Sequence, residues 1–464
     1  MFKCTGVCSS CGRCRNAAMM SGANERKTRM ITYPDSFSPD RNRRGYGIAF
    51  DIGTTTVVGI LWNLESGVQI DTCAETNPQN EFGMDIISRI NCCSQNKANL
   101  ELLRHRIIEC MNSITGRLCS KTGITGNDII KAAVCGNTTM SHIFSGYSPV
   151  SLAAAPFLPA YTGTLKLTAK ESQLDISEDA EVTVLPNIAG HVGGDITAGI
   201  AAARVLEQQG LTMFIDIGTN GEIVLGDGKD TLACSTAAGP AFEGAAIFNG
   251  MRAAAGAIEQ VHITEDGEVL FNVIGDCEPQ GICGSGLIDA IAQLLNAGLI
   301  NKSGRLAGSE DIEKKGLHEA FSERLAEVEG ERRFILVSKV CGEDIVITQN
   351  DIREVQLAKA AVSAGISLML DELGRRQSDI DRVIIAGAFG NYIDKKSAVR
   401  IGLLPDISEN NIILAGNTAG AGVSMALASD KELENIKLIP QRIKHIELAA
   451  KPEFQNTYLK AMRF

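Results

Sequence analysis

Apolar and polar positions alternate along this chain in blocks that predict short strands and long helices. Residues 46–63, YGIAFDIGTTTVVGILWN, form an apolar strand, a Gly/Thr turn and a second apolar strand, which is the pattern of a β-hairpin. Four segments have the apolar spacing of amphipathic helices: 97–119, 192–206, 284–297 and 351–373. Regions 145–180 and 301–348 are less patterned and are interpreted as insertions. The alternation predicts an α/β fold.

An internal repeat restricts the choice of α/β fold. The segment FDIGTTTVVGIL (50–61) recurs as IDIGTNGEIVLG (215–226), each an apolar strand that ends in Asp-Ile-Gly-Thr. KAAVCGNTTM (131–140) is echoed by DRVIIAGAFGNYI (381–393), each a strand that runs into a Gly-Asn turn. Two halves that open with the same hairpin predict duplicated α/β lobes facing each other across a cleft.

Four parts of the chain follow from these patterns. The lobes are expected at 45–205 and 206–464, preceded by a Cys-rich segment at 1–14 and a basic, flexible linker at 15–44. The linker prediction rests on its Ser-Gly, its prolines and its charges without apolar periodicity.

Composition excludes several classes of function. The net charge is −11, but residues 1–44 hold nine Lys/Arg and three acids, which leaves −17 for the remainder. An acidic body argues against nucleic-acid binding. No apolar run reaches the length of a membrane span, and the N-terminus lacks the apolar core of a signal peptide. Ten of the 14 cysteines are scattered, which indicates reduced thiols and a cytoplasmic protein.

The repeated hairpins carry the first candidate chemistry. A Gly/Thr turn such as Asp51–Thr56 offers backbone N–H groups and hydroxyls to an anion, and the Asp at the strand end can hold Mg²⁺. One hairpin of this kind is a weak signal. With the duplicate at Asp216–Glu222, two acidic hairpins can grip the phosphates and metal of one nucleotide from both sides.

A third segment suits the adenosine of such a nucleotide. IIAGAFGN (384–391) places Gly387, Ala388 and Gly390 after an apolar strand, so that a flat base can approach the backbone. Alone, these small residues favour a helix packed closely on a strand. Together with the paired hairpins, they favour nucleotide binding.

Seven further segments resemble one family in order and in sequence. They are NPQNEFGMDIISRI (77–90), VCGNTTMSHI (134–143), LPNIAGHVGGDITAGI (185–200), CSTAAGPAFEGAAI (234–247), GICGSGLIDAIAQLL (281–295), TQNDIREVQLAKAAVSAGI (348–366) and LAGNTAGAG (414–422). The chain resembles the reductive activators of corrinoid proteins, within the acetate and sugar kinase/Hsp70/actin superfamily, over about residues 45–430. The resemblance implies two RNase H-like lobes of the actin/Hsp70 type around a nucleotide cleft.

The resemblance also implies a function. Such proteins use ATP with Mg²⁺ to drive one electron from an iron–sulfur centre onto a cob(II) corrinoid protein, restoring the cob(I) state used in methyl transfer. The implied partners are that corrinoid protein and an external low-potential electron donor, and the family makes a homodimer the expected assembly. A small-molecule kinase and a non-redox ATP-binding scaffold remain as alternatives. A related activator type, which serves dehydratases, has a shorter chain and different cysteine placement.

Matching the motifs assigns residue roles. Asp51 and Asp216 would be the metal and phosphate aspartates. The phosphates would be contacted by Gly53, Thr54, Thr55, Gly218, Thr219 and Asn220. Asp195 would orient the attacking water or the waters of the metal, with a helix N-cap as the alternative, and Glu243 would reach the ribose or the nucleotide pocket. The adenosine site would be lined by Gly387, Phe389, Gly390 and Asn391.

The N-terminal window contains Cys4, Cys8, Cys11 and Cys14 in the spacing C-x3-C-x2-C-x2-C. Three interpretations stay open: a [4Fe–4S] cluster, a zinc site, or an unstructured or subunit-shared arrangement. The compact wrap and the reversed spacing of bacterial ferredoxins favour [4Fe–4S]. The first three cysteines also have radical-SAM spacing, but no strand precedes them. The window departs from the best-known corrinoid activators, which carry a separate [2Fe–2S] domain.

Overall fold

The computed structural model describes residues 31–41, 43–339, 342–387 and 392–464. Across these ranges, no helix combines the length and the apolar character that crossing a bilayer requires.

The first lobe is built on a six-stranded sheet in the order β3-β2-β1-β4-β6-β5. Its strands are β1 (Tyr46–Ile52), β2 (Thr56–Asn63), β3 (Val68–Thr76), β4 (Ile129–Gly136), β5 (Leu165–Thr168) and β6 (Glu181–Val184). β1 pairs antiparallel with β2 and parallel with β4. Every residue of β1 except Tyr46 and Asp51 is buried. Asp51 therefore lies near the carboxyl end of a central strand, at the edge of the sheet where ligands of α/β folds bind.

The second lobe repeats this arrangement with a sheet in the order β17-β16-β7-β8-β9-β18. Its strands are β7 (Leu211–Ile217), β8 (Gly221–Gly226), β9 (Thr231–Thr236), β16 (Ile380–Ala386), β17 (Ile412–Gly416) and β18 (Lys444–His445). β7 pairs antiparallel with β8 and parallel with β16, as β1 does with β2 and β4. The duplication predicted from the sequence is confirmed, because both echoes occupy equivalent strands.

The described ranges contain twelve α-helices. They are α1 (Ile86–Gln95), α2 (Lys97–Thr122), α3 (Thr138–Phe144), α4 (Ala169–Ser172), α5 (Gly194–Ala202), α6 (Gly284–Asn296), α7 (Asp311–Lys315), α8 (Gln349–Glu372), α9 (Lys395–Arg400), α10 (Thr418–Ala428), α11 (Asp430–Leu438) and α12 (Phe454–Ala461). The four helices predicted from apolar spacing are α2, α5, α6 and α8. α5 is shorter than predicted because Gly193 is extended before it and Arg204 is left-handed, at φ +52°, shortly after it.

The second lobe carries two small sheets as insertions. One contains β10 (Ala257–Ile263), β11 (Val269–Val273) and β12 (Gly281–Ile282), and the other contains β13 (Leu325–Val328), β14 (Glu331–Val337) and β15 (Ile345–Thr348). The second insertion falls in the weakly patterned region 301–348. Its strands escape the sequence pattern because β14 begins with charged residues that are half-buried rather than exposed.

Two crossing helices join the lobes. α5 follows the first sheet but packs on the second, where a Cβ at Gly199 would lie 2.8 Å from the Phe214 ring. α10 follows the second sheet but packs on β1 and β4 of the first. The two helices touch closely, since a Cβ at Gly422 would lie 2.0 Å from the Ala198 carbonyl oxygen. The lobes therefore share one core along these helices.

Residues 31–41, here called the strap, lie across the far ends of the crossing helices. Tyr33 and Phe37 pack against Trp62 of β2, with ring centroids 5.4 and 6.2 Å away. The strap also covers Ala202 of α5 and Met425 of α10. This stretch belongs to the segment assigned to a linker by sequence, and its aromatic side chains explain why it packs. The earlier part of that linker, residues 15–30, lies outside the described residues.

Trp62 is the chain's only tryptophan and is 2% exposed, so its fluorescence reports on the strap. We expect Tyr33→Ala with Phe37→Ala to shift the emission to longer wavelength, because water reaches the indole. Loss of these aromatic contacts should also lower the free energy of unfolding by about 2 kcal/mol. Tyr147→Ala, at an exposed tyrosine outside this cluster, is the control. Unchanged emission in the double variant would mean that the strap does not cover Trp62 in solution.

Candidate functional site

The first hairpin turn is closed by its backbone and faces the cleft between the lobes. The Gly53 N–H donates to the Thr56 carbonyl at 3.0 Å. The Asp51 carboxylate, just before the turn, accepts a 3.2 Å hydrogen bond from the amide of Asn417. Asn417 is the N-cap of α10, so a residue from the second half of the chain completes this end of the site. Burial raises the pKa of the Asp51 carboxyl to about 6.

The second hairpin has a similar turn, closed one residue earlier. The Gly218 N–H donates to the Asn220 carbonyl at 2.8 Å, and Asp216 precedes the turn. Asp216 faces Gly387, where a Cβ would lie 2.3 Å from its Oδ1 atom. Gly387 also has φ +82°, so glycine is required there both sterically and conformationally. Burial, and then the charge of Asp51, raise the pKa of Asp216 to about 7.

Asp195 joins these two aspartates from the start of α5. Gly193 is the N-cap of the helix, so Asp195 lies inside the first turn and does not act as the cap. Burial raises the pKa of Asp195 to about 8, with further contributions from the negative charges of Asp216 and Asp51. The structure thus brings together the three aspartates that the sequence proposed separately.

Glu222 is a fourth carboxylate of this group, and sequence analysis missed it. It lies directly opposite Asp216 across the hairpin of β7 and β8. Burial, then the charges of Asp195 and Asp216, raise the pKa of Glu222 well above its ordinary value, and Ser235 donates a 3.2 Å hydrogen bond to it. The available signal was a glutamate within an otherwise apolar strand, directly after the repeated turn.

The raised pKa values mean that the ionised forms of these carboxyls are disfavoured in the cleft unless a cation compensates them. In the described ranges, no three Asp, Glu, His or Cys side chains are arranged to hold a metal ion by themselves. Mg²⁺ commonly uses one or two protein carboxylates, with waters and substrate phosphates completing its shell. The four carboxylates of Asp51, Asp195, Asp216 and Glu222, here called the carboxylate cluster, therefore suit Mg²⁺ that arrives with a nucleotide better than a metal held by protein ligands alone.

The remaining hairpin residues lie at the same cleft. Thr54 accepts a 3.0 Å hydrogen bond through its hydroxyl oxygen from the Asn137 amide, and Thr55 is half-buried beside it. Thr219 donates a 2.7 Å hydrogen bond from its hydroxyl to Glu243. Glu243 is thus attached to the second hairpin, next to the predicted phosphate contacts.

The predicted adenosine residues are only partly described. Gly387 lies at the end of β16, where its N–H donates to the Gly416 carbonyl at 2.9 Å. Phe389, Gly390 and Asn391 lie outside the described residues, as do the four cysteines of the N-terminal window, Cys4, Cys8, Cys11 and Cys14.

A pocket of about 1020 Å³ lies elsewhere in the second lobe, between α6, α9 and β10. It is lined by Asp289, Asp394 and Arg400, among others, and by none of the predicted site residues. The hairpin motifs and the carboxylate cluster both identify the interlobe cleft as the candidate site.

Comparison with protein families finds two adjoining matches. Residues 46–208 match the RACo middle region, and residues 210–464 match the C-terminal domain of RACo, the ASKHA domain. The two-lobed fold expected from the repeat is confirmed by these matches.

Individual proteins are similar over most of the chain. The corrinoid activation enzyme RamQ of Eubacterium limosum is 39% identical over 430 residues, covering 92% of this chain and 72% of its own length. The Co(II) methylated amine-specific corrinoid protein reductase of Methanosarcina barkeri is 27% identical over 451 residues, covering 89% and 76%. A solved reductive activator for corrinoid, iron–sulfur protein superposes with a TM-score of 0.80 at 40% identity, covering 91% of this chain and 66% of that chain.

The carboxylate cluster predicts an unusual dependence of stability on pH. The folded pKa values of Asp51, Asp216 and Asp195, about 6, 7 and 8, lie above the ordinary value of 3.8. Their contribution to stability is therefore fully present below the ordinary pKa and is lost as pH rises through the folded values. In metal-free buffer we expect Asp195→Asn to raise the melting temperature clearly more at pH 8 than at pH 5, because less of this contribution has been lost at pH 5.

Asp371→Asn, which alters an exposed aspartate at the end of α8, is the control and should change neither melting temperature. An equal effect of Asp195→Asn at both pH values would show that the substitution acts through packing, not through charge.

Proposed function

This chain belongs to the RACo family of reductive activators of corrinoid proteins, and we propose that it uses ATP to drive one electron onto a cob(II) corrinoid protein. The product is the cob(I) state that methyl transfer requires. The family resemblance noted in the sequence is confirmed. The observation that carries the proposal is the interlobe cleft, where two Asp-Ile-Gly-Thr hairpins and Asp195 converge.

In this proposal the cleft binds ATP with Mg²⁺. Asp51 and Asp216 would hold the metal, directly or through its waters, next to the phosphates, and Asp195 would orient the attacking water or the waters of the metal. Phosphate oxygens meet the hairpin residues Gly53, Thr54, Thr55, Gly218, Thr219 and Asn220. Glu243 fixes the second hairpin through Thr219 and borders the nucleotide pocket, while the adenosine lies against Gly387, Phe389, Gly390 and Asn391.

ATP is needed because the electron moves uphill. For one electron, each 59 mV costs about 1.4 kcal/mol, so a gap of about 200 mV costs about 5 kcal/mol. A nucleotide shifts a conformational equilibrium by the difference in its affinity for the two states. Closure of the lobes around ATP would thus favour the complex in which cobalt is more easily reduced.

The electron source in this proposal is the segment at 1–14, carried on the basic segment 15–44 in front of the lobes at 45–205 and 206–464. When bound by Cys4, Cys8, Cys11 and Cys14, an iron–sulfur cluster of the [4Fe–4S] type supplies one electron, and an external low-potential donor restores it. Four thiolates are a suitable donor set for such a cluster.

The proposed setting follows from the same chemistry. Reduced thiols and a low-potential donor favour a cytoplasmic protein, and the family resemblance favours a homodimer. The kinase alternative leaves the cysteine window without a role. It is distinguished by the stimulant of ATP hydrolysis, which is a corrinoid protein here and a sugar or carboxylate for a kinase.

The test begins with protein purified without oxygen. We expect iron and sulfide in the purified chain, and conversion of a cob(II) partner protein to cob(I) on addition of ATP and a reductant. Asp51→Asn or Asp216→Asn should abolish ATP hydrolysis and leave the cluster spectrum intact. Cys8→Ser should remove the cluster spectrum and leave ATP binding intact.

Cys277→Ser is the matched control, because Cys277 is an exposed thiol in the second lobe outside the window. This variant should retain the cluster spectrum, ATP binding and ATP hydrolysis. Zinc in place of iron, with intact ATP binding, would contradict the activator proposal.

A further inference from the structure

The first hairpin is supported from behind by two fully buried polar side chains. Asn77 and Arg89 are both 0% exposed and lie in the segment 77–90, to which sequence analysis assigned no role. The Asn77 amide donates to the Gly53 carbonyl at 2.9 Å, and Arg89 Nη2 donates to the Thr54 carbonyl at 2.6 Å. The Asn77 N–H donates to the Thr55 carbonyl at 2.9 Å. Three successive carbonyls of the turn are therefore held on the side that faces the lobe interior.

This pairing fixes the opposite edge of the same peptide units. In a trans peptide the N–H points away from the C=O. The N–H groups of Thr54 and Thr55 belong to the units whose carbonyls are held by Asn77 and Arg89. In the described part of the chain neither N–H meets an acceptor. Both residues are half-buried at the cleft, where an incoming anion would find these donors.

All the donor groups of the Arg89 guanidinium have hydrogen-bond partners. Its five N–H groups meet the Gly83 and Thr54 carbonyls, the side-chain oxygens of Gln79 and Asn80, and the sulfur of Met140. Within the described residues it makes no direct ion pair, and the charge of nearby Asp85 acts on it without a hydrogen bond between the two side chains. Burial lowers the pKa of the guanidinium to about 10, which still leaves it charged at neutral pH.

A buried cation that has no directly bonded carboxylate among the described residues is costly and calls for an explanation. Its position directly behind the turn gives one, because positive charge there polarises the Thr54–Thr55 peptide toward an anion in the cleft. Among the described residues no side chain donates to the carbonyls of Gly218 or Thr219 of the second hairpin. In the part of the chain that the structure describes, this support is therefore seen at the first hairpin and not at its repeat.

We propose that Asn77 and Arg89 are positioning residues that aim the Thr54 and Thr55 N–H groups at a phosphate of the bound nucleotide. This inference rests on the proposed ATP site and specifies how its first hairpin is preorganised. It requires neither the iron–sulfur cluster nor the corrinoid partner. Nucleotide binding alone therefore tests it.

The central variant is Asn77→Asp, which retains the oxygen that accepts from the Gln79 N–H and changes the donor to the Gly53 carbonyl. We expect the affinity for Mg·ATP to fall about tenfold, as for loss of one hydrogen bond to a charged group, with adenosine affinity unchanged. Asn99→Asp is the matched control. Asn99 likewise donates its amide to a backbone carbonyl, that of Cys92 at 2.8 Å, in the same lobe. This control should bind both ligands as the wild type does.

Arg89→Lys and Arg89→Met form a second pair, and for all of these variants the affinities for Mg·ATP and adenosine are measured by titration calorimetry alongside melting temperature. The lysine keeps the charge with fewer donors and should retain more Mg·ATP affinity than the methionine, again with unchanged adenosine affinity. Equal losses for ATP and adenosine, or a lower melting temperature with intact ATP affinity, would overturn the positioning role. Failure of the wild-type chain to bind ATP at all would instead overturn the proposed function, and this inference with it.

Discussion

The structure depends on the close contact between the two crossing helices. At Gly422 the backbone of α10 approaches α5 so closely that even one methyl group would collide with the Ala198 carbonyl oxygen. Since each helix starts from one lobe and packs on the other, their contact fixes the separation of the two sheets. The helices also begin at the cleft, with Asp195 in the first turn of α5 and Asn417 capping α10. The same packing that joins the lobes thus places polar groups from both halves in one site.

The cleft combines groups that a stable fold alone would avoid. Carboxylates that repel one another and are shielded from water raise their own pKa values, and a charged state is then held at a free-energy cost. Behind the first hairpin, Arg89 holds the opposite charge, with no carboxylate of the described residues bonded to it directly. These two features lie on opposite sides of the Gly/Thr turn. They are compatible with a ligand that brings both a cation and anionic phosphates. The cation would then lie near the carboxylates, and the phosphates would lie near the turn that Arg89 supports.

The strap extends this connection to the far ends of the same helices. Asp40 accepts a 2.8 Å hydrogen bond from the Asp430 N–H at the start of α11, directly after α10. Tyr33 and Phe37 cover Trp62 beside them. The N-terminal part of the chain is thereby attached to the helices whose other ends form the cleft. Any movement of α5 relative to α10 would change the contacts of the strap, because the strap packs against both helices.

The sequence by itself determined the local and repeated features of this protein. Strand, turn and helix could be predicted around Asp51 and Asp216 because apolar periodicity and turn residues act over a few neighbours. The repeat then required similar lobes. The strands of 301–348 were missed because charged residues that are half-buried against tertiary neighbours hide the pattern.

Only the tertiary structure decided how the site is assembled. Glu222 joins the aspartates through its cross-strand position opposite Asp216 and its burial in the cleft, while Asn417 reaches Asp51 across 366 positions of the chain. Arg89 contacts Thr54 from a different element, although its motif was visible in the sequence. Burial and charge proximity set the pKa values of these groups. Both are properties of the packed lobes, and no local stretch of sequence contains them.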